Sequence, residues 1–204
     1  ALCQHATIFS VEMDGEGALP EVMRAQIRAA REQGYFVPFY YTVPDGHNPG
    51  GFSFSQRRRE AILEVAREEG ILILEDAPYL YINFAAPADR AKPFFSMAPE
   101  QTVHLFTGSK IGFPGPRVGF LYSEAELEIS EGKKVALSEL ALVESSSELL
   151  FHSPGALRGF EALLHEKSEN QGQDAAETCI ERQSIWPLAE EKLVVYRENR
   201  QILL

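Results

Sequence analysis

Apolar residues along this chain recur in two ways, at helical spacing and in short unbroken runs. In 18–33, "ALPEVMRAQIRAAREQ", the residues Val22, Met23, Ile27 and Ala30 line one face of a helix. Pro20 suits its first turn and Gly34 its end. "YFVPFYYTV" (35–43) is apolar and rich in β-formers, so a buried strand is expected. "PDGHNPGG" (44–51) concentrates turn formers. Ser53 or Ser55 is placed to cap a second helix, "QRRREAILEVAREE", with Ala61, Ile62, Val65 and Ala66 as its apolar face. Gly70 is placed to stop it.

"ILILED" (71–76) is a continuous apolar run ending in two carboxylates, the pattern of a strand covered on both faces in a parallel sheet. "TVHLFTGS" (102–109) and "VGFLYS" (118–123) read as further strands. Strand, helix, strand, loop, strand, strand predicts an α/β fold with at least one crossover. Beyond about residue 134 the pattern turns helical, with a break at 153–155. The stretch 168–178, "SENQGQDAAET", is polar and reads as a loop or insert. A final helix, "LAEEKLVVYRENRQILL", offers Leu188, Leu193, Val194, Tyr196, Ile202 and Leu203 as apolar positions. Two parts are expected: 1–166 as one incomplete domain, and 167–204 as a polar insert with a connecting helix.

Composition narrows the function. The 204 residues carry a net charge of −11, with a pI near 5.0. Such a surface argues against nucleic acid or an anionic membrane as the main partner, since both require basic patches. The one dense basic cluster, Arg57, Arg58 and Arg59, reads as a solvated helix face. No apolar run approaches the roughly 20 residues needed to span a bilayer. Cys3 and Cys179 are far apart, and no Cys/His spacing suggests a metal. A reducing compartment is expected.

In a doubly wound sheet, ligands lie beyond the carboxyl ends of the strands. Here those ends deliver Asn48 in "HNPGG", Asp76 and Tyr79 in "EDAPY", and Thr107, Ser109 and Lys110 in "TGSK". Arg117 follows a turn later. An amine, a carboxylate, a phenol, an amide, two hydroxyls and a guanidinium thus converge on one face. Pyridoxal 5'-phosphate needs such a set: a lysine for its Schiff base, a carboxylate against its pyridine nitrogen, donors to the ring oxygen, and hydroxyls and an arginine for its phosphate.

These motifs resemble those of the class I/II aminotransferases of fold type I, and most closely the kynurenine/α-aminoadipate branch. That branch has "YTVPxxxNPTG", "EDxPY", "SFSK" and "GLRxGF" in the same order. "HSPGALRGFEALLHEK" also resembles the helix that follows there. The resemblance implies part of a pyridoxal-phosphate-binding large domain, a mainly parallel sheet flanked by helices. It implies transamination between an amino acid (aminoadipate, kynurenine or aromatic) and a 2-oxo acid such as 2-oxoglutarate, in a cytoplasmic or mitochondrial homodimer. By motif, Lys110 would be the covalent anchor and proton carrier, and Asp76 the partner of the ring nitrogen. Asn48 and Tyr79 would bind the ring oxygen, and Thr107, Ser109 and Arg117 the phosphate. Lyases and regulatory sensor modules on the same scaffold share this set.

Two positions depart from the pattern: Gly50 replaces a threonine and Gly108 a bulky residue, and both are expected to loosen the backbone. "ALCQH" reads as the interior of a domain. The family's glycine-rich phosphate loop, its ring-stacking aromatic and its substrate-carboxylate arginine are expected outside these residues. The chain alone is therefore expected to show little or no transaminase activity.

Overall fold

The computed structural model describes residues 6–111, 114–115, 117–148, 153–163 and 185–203. A small hairpin, β1 (Met13–Asp14) with β2 (Gly17–Ala18), leads into helix α1 (Pro20–Glu32). Strand β3 (Phe39–Thr42), helix α2 (Gln56–Glu69) and strand β4 (Leu72–Asp76) follow. After short helix α3 (Phe94–Met97) come strand β5 (Thr102–Thr107) and strand β6 (Gly119–Tyr122). A second hairpin, β7 (Glu126–Ser130) and β8 (Lys133–Ala136), precedes helices α4 (Leu137–Glu148), α5 (Pro154–Leu163) and α6 (Trp186–Leu203).

The two long N-terminal helices form where their signals predict. Pro20 occupies the first turn of α1. Ser55 caps α2 by accepting the Arg58 N–H, and Gly70 ends it in the left-handed region, where a glycine carries no Cβ penalty. Strands β3, β4, β5 and β6 form one sheet in that order. The first three are parallel and β6 is antiparallel. Met23 and Ile27 from α1, Ile62, Val65 and Ala66 from α2, Ile73 from β4 and Phe94 from α3 pack into one core on one sheet face. Fully burying side chains of this size contributes about 1.5–3 kcal/mol each.

The other face is more open. Phe39 and Tyr41 are 49% and 52% exposed, while Thr42 is buried. The expected strand over 35–43 is thus shorter and only half buried. β3 is an edge strand of the described sheet, with one face packed on helices and the other on solvent. A second difference is the β7–β8 hairpin, whose last residues, Val135 and Ala136, fall where the helical pattern was expected to begin. Its positions are mostly exposed, although Leu127 and Ile129 alternate with Glu126, Glu128 and Ser130 as a strand requires.

The arginine cluster is not a solvated face. Arg59 is fully buried and paired with Asp45 at 2.7 Å. It also donates to the carbonyls of Phe54 and Pro44. Arg58 forks onto Asp14 and also reaches the Gly17 and Ala18 carbonyls. Three adjacent arginines on a helix point to three sides, and two of them meet the loops that precede α2. The boundary at 166/167 and the polar stretch 168–178 lie outside the described residues. No helix among the described residues is long and apolar enough to cross a membrane.

Candidate active site

The carboxyl ends of β3, β4 and β5 emerge at one edge of the sheet, and antiparallel β6 begins there, with Gly119 opposite Thr107. Asn48 follows β3, Tyr79 follows β4 after its last residue Asp76, and Ser109 and Lys110 follow β5. Arg117 immediately precedes β6. Every residue singled out in the sequence therefore lies at or just beyond this edge.

Thr107, Ser109 and Arg117 form a hydrogen-bonded cradle. The Thr107 hydroxyl accepts the Ser109 N–H at 3.2 Å and starts a tight turn over Gly108–Lys110. It lies 3.0 Å from the Ser109 hydroxyl. Arg117 donates to that same hydroxyl oxygen at 3.2 Å and to the Pro114 carbonyl. The Thr107 hydroxyl also lies 3.2 Å from the Val118 carbonyl, which can only accept, so one Thr107 proton serves both neighbours and the two hydroxyls form a linked pair. Arg117 has φ +56°, the left-handed region, which costs a non-glycine residue roughly 1–2 kcal/mol. Strain of this kind persists where the surroundings enforce it, typically at functional sites.

Lys110 is exposed, and its amine lies 5.8 Å from the centre of the Tyr79 ring. Its backbone carbonyl accepts the Tyr196 hydroxyl of α6 at 3.4 Å. A cleft of about 490 Å³ opens here, lined by Ile82, Phe84, Ser109, Lys110, Tyr196, Asn199 and Arg200. α6 is held against this region by Glu190, which pairs with Arg90 at 2.5 Å.

The two carboxylates ending β4 point to opposite faces. Glu75 is fully buried, accepts the N–H groups of Phe94 and Phe95, and lies 2.8 Å from His104 Nδ1. Asp76 faces the open side and accepts a 2.7 Å hydrogen bond from the Tyr41 hydroxyl. Burial, then the Asp76 carboxylate, pushes the Tyr41 phenol up to about 12. Asn48 is exposed and shares no hydrogen bond with Tyr79, Asp76 or Lys110 among the described residues. Its loop does approach the site: a Cβ on Gly46, at φ +54°, would lie 3.2 Å from the Tyr79 Cβ. His47 belongs to the loop's own structure, stacked on Phe52 and accepting the Gly50 N–H.

Gly50 and Gly108 have a role different from backbone freedom. A Cβ on Gly50 would lie 2.4 Å from the Phe52 ring, and one on Gly108 would lie 2.8 Å from the Phe160 ring. Both glycines leave space that an aromatic side chain fills. Tyr41 and Tyr196 were not anticipated as site residues. Only the alternation of "YYT", which sets Tyr41 opposite Tyr40, could have hinted at the first.

Lys110 and Arg117 have no carboxylate partner among the described residues, and Asp76 has a phenol as its partner there. Two cations, one carboxylate and a pair of hydroxyls fit the pyridoxal phosphate expected from the sequence, which brings an anionic phosphate, a carbonyl carbon for an amine and a basic ring nitrogen. No group of three or more potential metal ligands exists among the described residues.

Comparison with known proteins agrees with this chemistry. Residues 42–183 match the family described as Aminotransferase class I and II. The chain is 30% identical over 152 residues to the mitochondrial kynurenine/alpha-aminoadipate aminotransferase of Mus musculus, covering 67% of this chain and 35% of that protein. It is 30% identical over 115 residues to aromatic-amino-acid aminotransferase 1 of Thermococcus litoralis, covering 56% of this chain and 27% of the relative. The crystal structure of LysN, an alpha-aminoadipate aminotransferase from Thermus thermophilus complexed with N-(5'-phosphopyridoxyl)-L-leucine, shares the fold. Its TM-score is 0.61 at 23% identity, over 95% of this chain and 42% of that one. The chain thus spans 27% and 35% of the length of the two curated relatives.

Proposed function

The chain belongs to the class I and II aminotransferases, and from that premise we propose that the protein it contributes to moves an amino group from an amino acid to a 2-oxo acid. Enzymes of this class work with pyridoxal 5'-phosphate. Aminoadipate, kynurenine or an aromatic amino acid is the proposed donor and 2-oxoglutarate the proposed acceptor. The names of the relatives support this choice. The protein is further proposed to act as a homodimer. The observation that carries the reading is the gathering of Lys110, Asp76, Tyr79 and the Thr107–Ser109–Arg117 cradle at one sheet edge, with neither cation matched by a carboxylate among the described residues.

Bound pyridoxal 5'-phosphate supplies the carbonyl that captures an amine and the electron sink that makes α-proton loss from an amino acid feasible. The residues have separate tasks. Arg117 and the Ser109 hydroxyl would bind the phosphate, with Thr107 holding the turn that presents them. Asp76 would hold the ring nitrogen and favour its protonated form by opposite charge. Tyr79 and Asn48 would donate to the ring oxygen. The Lys110 amine would be the group that anchors the cofactor and the base that carries the proton.

The test uses the full open reading frame containing these 204 residues. With pyridoxal phosphate, the wild type is expected to show a visible absorbance band that Lys110→Ala abolishes. With aminoadipate, kynurenine or glutamate, the band is expected to convert to the pyridoxamine form with release of the keto acid. A band that survives Lys110→Ala would reject Lys110 as the anchor. Ammonia release without amine transfer would replace transamination with elimination.

A further inference from the structure

We propose that Tyr41 is a positioning residue for the cofactor site: its phenol holds the Asp76 carboxylate in the orientation from which it faces the ring nitrogen. This rests on the reading of Asp76 given above. The argument starts from register. Tyr41 on β3 lies opposite Leu74 on β4, and the strands are parallel. Asp76 is two residues further along β4, on the same face as Leu74. Two residues of extended chain span about 6.6 Å, comparable with the reach of a tyrosine side chain from Cα to hydroxyl. The phenol therefore arrives at the carboxylate along the sheet surface, at 2.7 Å.

The alternatives for holding Asp76 are few. No arginine, lysine or histidine among the described residues pairs with it. Neighbouring Glu75 is committed to the opposite face by two backbone N–H groups and His104. A carboxylate has two oxygens and roughly four acceptor sites. Tyr41 occupies one site on Oδ2 and leaves Oδ1 without a partner among the described residues. A phenol suits this task better than a cation. It orients the carboxylate without neutralising it, so the negative charge remains for the ring nitrogen. The raised phenol pKa keeps Tyr41 a donor across the physiological range.

The experiment compares wild type, Tyr41→Phe and Asp76→Asn in the full open reading frame. Readings are the pyridoxal phosphate dissociation constant, the 15N resonance of the labelled ring nitrogen when bound, and the apoprotein melting temperature. Tyr41→Phe is expected to leave the melting temperature unchanged and to weaken cofactor binding about tenfold, the scale of one hydrogen bond to a charged group. It is also expected to move the nitrogen resonance away from its protonated position. Asp76→Asn is expected to do both more severely. 3-Fluorotyrosine at position 41 keeps ring and donor and is expected to restore both readings. If Asp76→Asn is impaired while Tyr41→Phe matches wild type, the role of Tyr41 is overturned and the reading of Asp76 stands. Weaker binding with an unmoved resonance assigns Tyr41 to packing alone and also overturns it. If Asp76→Asn matches wild type, the underlying reading fails and takes this one with it.

Discussion

At the scale of single residues, identical letters have different fates. Arg57, Arg58 and Arg59 are indistinguishable in the sequence, yet Arg59 is fully buried and paired with Asp45. Sequence reasoning missed this because the partner lies in the loop preceding α2, and only the folded loop brings Asp45 beneath the helix. The pair has a consequence for stability. Asp45 has contacts of 2.7 and 3.2 Å to the guanidinium, and burial pushes its carboxyl upward against the pull of Arg59. Arg59→Ala leaves that carboxylate buried and unpaired, which costs about 3–5 kcal/mol. It also removes the donor to the Pro44 and Phe54 carbonyls that frame the loop carrying Asn48. The expected result is a urea midpoint lowered by this amount with an unchanged slope, and Arg59→Lys, which cannot fork onto both carboxylate oxygens, recovers only part of it. A loss under about 1 kcal/mol would mean that the pair contributes no more than a surface bridge.

At the scale of elements, legibility followed local signals. Helices α1 and α2 were readable because apolar period, Pro20, Ser55 and Gly70 all agree. The candidate site residues stood out because polar groups at the carboxyl ends of strands are chemically unusual. The β7–β8 hairpin was missed although Leu127 and Ile129 alternate with polar residues along β7, and Tyr41 was not legible, since its role depends on the register between β3 and β4. Gly108 combines both situations. Its place beside Lys110 was visible, but its reason is the Phe160 ring on α5, some fifty positions along the chain. Phe160 belongs with Phe106, Ile111 and Val118 to a second small core that supports the lysine turn. Gly108→Ala sets a methyl group 2.8 Å from that ring. Overpacking of this kind costs roughly 1–3 kcal/mol, and the displaced turn carries Ser109 and Lys110. The expected outcome is a lowered melting temperature with weaker cofactor binding, both relieved by Phe160→Leu in the double mutant. If Phe160→Leu gives no relief, the clash is not the cause.

At the scale of the whole molecule, two opposing terms decide how the 204-residue chain behaves in solution. One is the less covered sheet face, where Phe39, Tyr41 and Leu121 are 40–52% exposed. On its far side β3 has no strand partner among the described residues. Open edges and apolar faces of this kind template association. The other term is the net charge of −11, which makes any two copies repel. Repulsion between exposed charges is screened beyond about 8 Å at physiological salt, whereas apolar burial is not weakened by salt. Association should therefore win as ionic strength rises, the opposite of what a charge-driven contact would show. Sedimentation of the chain is expected to reveal species larger than 22.8 kDa that increase with concentration and with salt. Phe39→Lys combined with Leu121→Lys, which sets charge on the open face at β3 and β6, is expected to return it to a monomer. A wild-type chain that stays monomeric at high salt would show that this face carries too little free energy to associate, and association that persists in the double lysine variant would locate the contact elsewhere.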